Sequence, residues 1–227
     1  MNALTTPEKF ILLAHHPVKG RYVISQLHLK FGLAGALMLE LTLDGSAEMQ
    51  EDRLVLRSKP ETRNDVLNEI TGMLADSARP RRIRYWIRQL ARRHRRYQWD
   101  ILNDLQRRRI VRIVQRRFLG WIPYRRSYLI GNKIHHDLIR EMRKNILQNE
   151  DPSNEWVAAM GLIEACKMHR ILSPDRGERK IIRKKLKLIL KESPIASDVD
   201  KAIRQVQAAI VASVAASSAA AATAGSH

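Results

Sequence analysis

The chain has 227 residues, with 41 Lys+Arg against 23 Asp+Glu, a formal net charge of +18, and 44 % apolar residues. That apolar share fills one sizeable core, which excludes wholesale disorder and makes one domain the expectation. The single cysteine, Cys166, excludes a disulfide framework and a cysteine-based zinc site.

Thr6-Pro7-Glu8 reads as a helix start, with Thr6 as N-cap and Pro7 in the first helical position. Phe10-Ile11-Leu12-Leu13-Ala14 continues it as a short buried helix. His16-Pro17 breaks the chain, and Arg21-Tyr22-Val23-Ile24 is a predicted short strand. Residues 33–43 are apolar almost all round, which suits a central core helix, and Ala34, Gly35 and Ala36 permit close approach. Glu40 sits within that run. A buried carboxylate needs a partner, and one of the many arginines is the expected one. Asp44-Gly45 ends the helix, and residues 47–49 and 53–56 read as a small hairpin.

Val66, Leu67, Ile70, Met73 and Leu74 fall on one helical face, as do Ile83, Trp86, Ile87 and Leu90, and then Ile101, Leu102 and Leu105. The β-branched and aromatic residues of 110–130, around Gly120-Trp121-Ile122-Pro123, predict a second hairpin. Helices resume over about 133–148, 152–170 and 177–191. From Asp198 an amphipathic helix runs through Ile203, Val206 and Ile210 before the composition degrades to Ala/Ser, and residues 217–227 are expected to fray. The fold class is therefore mainly α: a single globular helical domain over 1–211 with two small β-hairpins, followed by a low-complexity tail over 212–227.

Charge is concentrated. Residues 79–126 hold 17 arginines, no lysine and two acids, Asp100 and Asp104, so this window carries +15 of the +18. Tyr85, Trp86, Tyr97 and Trp99 lie among the arginines. A planar guanidinium grips phosphate with two parallel hydrogen bonds and stacks on rings, so phosphate-bearing partners are indicated. Composition leaves open whether these are anionic lipid headgroups or nucleic acid. No nucleotide-loop, zinc-protease or serine-hydrolase motif is present, so neither catalysis nor a cofactor is expected. The pairs His15-His16 and His135-His136 make no metal site by themselves, because neighbours on a helix diverge by about 100°; they read as helix-end or surface histidines. No apolar run is long enough for a membrane span, and residues 1–10 lack a signal-peptide pattern, so the expected location is cytoplasmic.

Leu4-Thr5-Thr6-Pro7-Glu8, Lys19-Gly20, and above all Leu33-Ala34-Gly35-Ala36-Leu37-Met38-Leu39-Glu40-Leu41-Thr42-Leu43-Asp44-Gly45 resemble the Golgi phosphoprotein 3-like family. Asp65-Val66-Leu67, Trp86-Ile87, Arg116-Arg117-Phe118-Leu119-Gly120 and Cys166 follow in the same order. The resemblance implies a mainly helical domain that docks peripherally on membranes. Eukaryotic members bind phosphatidylinositol 4-phosphate on Golgi membranes and retain glycosyltransferases through their cytoplasmic tails. A hairpin matching about 112–126 mediates self-association in some. The family's headgroup pocket, a tryptophan and three arginines, falls on Ser25, Ala34, Arg95 and Gln98, so Arg95 alone is kept, and the chain resembles a prokaryotic member with weak headgroup selectivity.

On this reading Arg92, Arg95 and Arg96 hold the lipid headgroup, and Phe118, Trp121 and Ile122 insert into the membrane or mediate self-association. The flanking arginines would repel a second copy, so a weak homo-oligomer needs acids opposite, with Glu150, Asp151 and Glu155 as candidates. The expected partners are anionic membrane lipids and cytoplasmic tails of membrane proteins. Nucleic acid is the alternative.

Overall fold

The computed structural model describes residues 4–58, 64–119, 121–148, 152–192 and 197–224. In chain order the elements are α1 (Thr6–Ala14), α2 (Gln26–Leu43), β1 (Ala47–Gln50), β2 (Arg53–Leu56), α3 (Asp65–Ala75), β3 (Arg81–Arg82), α4 (Ile83–Arg92) and α5 (His94–Arg107). Then follow β4 (Val111–Phe118), β5 (Ile122–Leu129), α6 (Lys133–Leu147), α7 (Asn154–Ala165), α8 (Arg176–Glu192) and α9 (Ser197–Ala224). The mainly helical single domain predicted from periodicity is what these elements build.

α2 is the central element: every residue over 31–39 is buried, with α1, α4, α5, α7 and α9 packed around it. It starts well before the apolar run because Ser25 caps it, its hydroxyl accepting the His28 N–H at 3.3 Å. Gly35 is where α9 comes closest: a Cβ there would stand 2.7 Å from Ile210 Cδ1 and 2.8 Å from Val206 Cγ1. Glu40 departs from expectation, since its carboxylate accepts the Thr6 N–H at 2.7 Å rather than pairing with an arginine. It thus satisfies a first-turn donor of α1 and ties that helix to α2, while burial raises its pKa.

Four further boundaries differ from the sequence reading. Thr5, not Thr6, is the N-cap of α1, which puts Pro7 in the second helical position, where a missing N–H still costs nothing. The segment 21–24 forms no strand beyond a single bridge between His15 and Tyr22. The first hairpin gains a third strand, because β3 pairs Arg53 with Arg82 and Leu54 with Arg81. The helix predicted over 152–170 stops at Ala165, where Lys167 takes a φ of 55° and a 3₁₀ turn, His169–Ile171, follows. The second hairpin forms as predicted, from Val111 opposite Leu129 to Phe118 opposite Ile122. The Ala/Ser stretch expected to fray instead continues α9 as helix to Ala224.

Candidate functional site

α4 buries Ile83, Trp86, Ile87 and Leu90, which turns Arg84, Arg88 and Arg92 outward on successive turns. Arg88 and Arg92 meet Lys30 of α2 around an open cleft of about 330 Å³. Phe31 and Ala91 contribute apolar surface, and Ser213, Ala216, Ser217 and Ala220 of α9 complete the lining. No carboxylate lines this cleft among the described residues. The Lys30 ammonium stands 4.7 Å from the Phe31 ring, and the buried Ser213 hydroxyl has no hydrogen-bond partner among the described residues.

The three arginines expected to hold a headgroup are divided. Arg92 lines the cleft, and its one described side-chain bond is to Gln89 at 3.4 Å. Arg95 is exposed and meets no carboxylate among the described residues. It nevertheless belongs to the same field: burial lowers the His94 pKa, and the charges of Arg95 and Lys30 lower it further. Arg96 is engaged elsewhere, with Nη2 2.7 Å from Glu69 and Nε 3.7 Å from Asp100. Arg93 and the Tyr97 hydroxyl share Glu69, at 2.8 and 3.2 Å. Arg96 therefore belongs to an ion-pair network, because Glu69 on α3 lies beside α5.

The same sorting applies along the arginine window. Arg82 pairs with Asp52, Arg107 with Asp104 and Arg108 with Glu8. Arg79, Arg84, Arg88, Arg109, Arg112, Arg116 and Arg117 are exposed and meet no carboxylate among the described residues. Of the interleaved aromatics, Trp86 and Tyr97 belong to the core, Tyr85 is exposed, and Trp99 is half-buried with Arg125 5.9 Å from its ring. Two of the four rings available in principle for base stacking are thus enclosed.

The pocket positions implied by the resemblance supply no further cation. Ser25 is occupied as the cap of α2, Ala34 is buried, and the Gln98 amide donates to the Tyr22 hydroxyl at 3.0 Å. Lys30 and Arg88 are the functional candidates that sequence reasoning missed. Arg88 stands alone between two arginine clusters, but its spacing of four from Arg84 and Arg92 was a readable signal.

β4 and β5 form a two-stranded ribbon whose base is buried at Val111 and Ser127 and whose outer half is exposed. At its tip, Leu119 is 70 % exposed, Trp121 73 % and Ile122 38 %. The Phe118 side chain lies outside the described residues, as do Glu150 and Asp151 of the proposed acidic complement. Glu155 is paired with Lys9 and so is not free to face a second copy.

Among the described residues no helix is long and apolar enough to cross a membrane. A comparison with curated proteins finds no match. A family model does match, over residues 7–206, and it spans both the α2 core and the arginine window. The chain belongs to the Golgi phosphoprotein 3 (GPP34) family.

Proposed function

We propose that this chain is a non-catalytic, peripheral membrane adaptor that reads anionic, phosphoinositide-type lipid headgroups. The observation that carries the reading is the cleft of Lys30, Arg88 and Arg92, three cations from two helices with no acid in the lining. A basic side chain near an anionic leaflet contributes about 1 kcal/mol. Three in the cleft, with Arg95 beside them and Arg112, Arg116 and Arg117 on the ribbon, suffice for reversible attachment. Trp121 and Ile122 at the ribbon tip add an apolar wedge, since exposed aromatic and aliphatic groups partition into the lipid interface. Because the positions of Ser25, Ala34 and Gln98 offer no cation, selectivity among headgroups of equal charge is weak. Once docked, the protein is positioned to engage cytoplasmic tails of membrane proteins.

Vesicle flotation tests this reading. The protein floats with vesicles containing phosphatidylglycerol, stays behind with neutral phosphatidylcholine, and is released as salt shortens the screening length to below about 8 Å. The triple variant K30Q/R88Q/R92Q loses flotation while keeping its helical circular dichroism. Undiminished flotation of that variant refutes the assignment. A gel shift of nucleic acid at salt concentrations that abolish flotation would replace the membrane with nucleic acid as the partner.

A further inference from the structure

The two histidine pairs, which make no site within their own helices, converge in the fold. His15 and His16 follow the end of α1, His135 and His136 lie in the first turn of α6, and all four line one cavity of about 880 Å³. The other charged groups of its lining are Arg21, Lys167 and Arg170, with no carboxylate among the described residues, and Ile24, Ile139 and Met168 contribute apolar surface. An adjoining groove shares Lys167 and Arg170 and adds Arg176, Arg179 and Lys180.

His15 is fully engaged: Nδ1 lies 2.9 Å from the His16 carbonyl and Nε2 2.9 Å from the Ser127 hydroxyl. His135 is enclosed as well: it is 6 % exposed, and its ring lies against the His15 backbone. Arg21, Lys167 and Arg170 are exposed and meet no carboxylate among the described residues, so the charge of this cavity is left for a ligand to answer. A metal ion fits poorly, because Arg21, Lys167 and Arg170 repel cations. Moreover, no group of three His, Cys, Asp or Glu among the described residues is placed to hold one. An anion fits. Two guanidinium forks and a second basic groove match the several oxygens of a phosphate, and the apolar wall calls for a hydrocarbon portion.

We propose that this cavity binds a phosphorylated amphiphile, its phosphate facing Arg21, Lys167 and Arg170 and its hydrocarbon lying against Ile24, Ile139 and Met168. Lys30, Arg88, Arg92 and Arg95 do not line it, so the site is separate from the proposed headgroup cleft and stands or falls on its own. The chemistry is shared by a membrane lipid and a soluble phosphate ester.

Calorimetric titration of the full chain tests the proposal with four probes: dioctanoyl phosphatidic acid below its micellar concentration, octyl phosphate, inorganic phosphate and uncharged dioctanoylglycerol. The two phosphorylated amphiphiles bind, inorganic phosphate binds at least tenfold more weakly, and dioctanoylglycerol does not bind. Tighter binding of the phosphatidic acid than of octyl phosphate assigns a lipid source, and the reverse order assigns a soluble ester. R21Q/R170Q changes two exposed side chains without disturbing the core and weakens octyl phosphate binding at least tenfold. K30Q/R88Q/R92Q leaves it unchanged even where vesicle flotation is lost. Wild-type affinity in R21Q/R170Q overturns the proposal, as does inorganic phosphate binding as tightly as octyl phosphate.

Discussion

Two helical glycines should respond to alanine with opposite signs. Gly32, in α2, faces the crossing with α1 and the end of α7. A Cβ there would stand 2.6 Å from Cys166 Sγ and 2.8 Å from Phe10 Cε2, and closer still to Phe10 Cζ. Phe10 and Cys166 are themselves buried, so neither can swing into solvent to make room. Overpacking of this kind costs about 1–3 kcal/mol, and contacts this short place Gly32→Ala at the upper end. The better helix propensity of alanine returns about 1 kcal/mol. The expected net loss is about 2 kcal/mol, or a melting temperature about 4–8 °C lower for a domain of this size. Gly72, in α3, has nothing within 4 Å of its would-be Cβ. There the propensity gain stands alone, and Gly72→Ala should raise the melting temperature by about 2–4 °C.

Thermal and denaturant unfolding of both variants measure this directly. Combining Gly32→Ala with Phe10→Leu, which removes the opposing ring, should give a loss at least about 0.5 kcal/mol smaller than the sum of the two single losses. Equal signs for the two glycines, or strict additivity of the pair, would refute the close-packing account of α2.

Glu40→Gln keeps an acceptor for the Thr6 N–H and removes a charge that burial disfavours, so its denaturation midpoint should stay near that of the parent chain, whereas Glu40→Leu strands the donor and should lose about 1–3 kcal/mol. Acid should destabilise the fold beginning at mild pH. Burial lowers the pKa values of His15, His28, His94 and His135 from 6.5, so below that value the unfolded chain binds more protons than the folded one. The stability they confer is fully present above pH 6.5 and declines as pH falls toward 5; a melting temperature that is flat or rises over that interval would contradict the burial of these rings. At the ribbon tip, replacing Trp121 and Ile122 together by Ser should weaken vesicle binding by roughly thirtyfold, the equivalent of about 2 kcal/mol of apolar burial. If the same change dissociates an oligomer in sedimentation and leaves vesicle binding intact, the tip is a subunit contact.

Elements governed by local pattern were legible in the sequence. The apolar run of 33–43 gave the central helix, and the β-branched stretch around Trp121 gave the ribbon, because burial periodicity and turn residues lie within a few positions of one another. Contacts between distant segments were not legible. Glu40 met a helix N-terminus rather than an arginine because α1 crosses α2 at that turn, a fact of tertiary packing. The tail looked like low complexity, yet Gly35 lets α9 approach α2 closely, and the same helix then carries Ser213 and Ser217 to the wall of the basic cleft. His15 and His135 are far apart in the chain, so no spacing rule could have joined them. For the candidate site, charge pointed to Arg92, which lines the cleft, and the resemblance to Arg95, which does not. The loss of Arg96 to Glu69 was not, since the acid stands on a different helix.

That last point bears on how a strongly basic chain acquires a defined surface. Seventeen arginines in one window suggest a diffuse field, but the fold places a few acids so that some of that charge is locally answered. Glu8, Asp52, Glu69 and Asp104 neutralise Arg108, Arg82, the Arg93–Arg96 pair and Arg107 respectively. Exposed pairs such as Arg82–Asp52 and Arg107–Asp104 add little stability, so their larger consequence is where they leave charge unanswered. Within the arginine window, unanswered cations gather in the α4 cleft and on the arms of the β4–β5 ribbon, with Arg79, Arg84 and Arg109 exposed apart from both. Of these two, the ribbon couples its charge to exposed apolar side chains at its tip, Leu119, Trp121 and Ile122. Salt therefore weakens the cleft and the ribbon arms alike, while contact through Trp121 and Ile122 rests on a different force that screening does not reach. On the proposed membrane reading, such a surface would hold to a bilayer by two independent physical interactions, and each can be removed without disturbing the core beneath it.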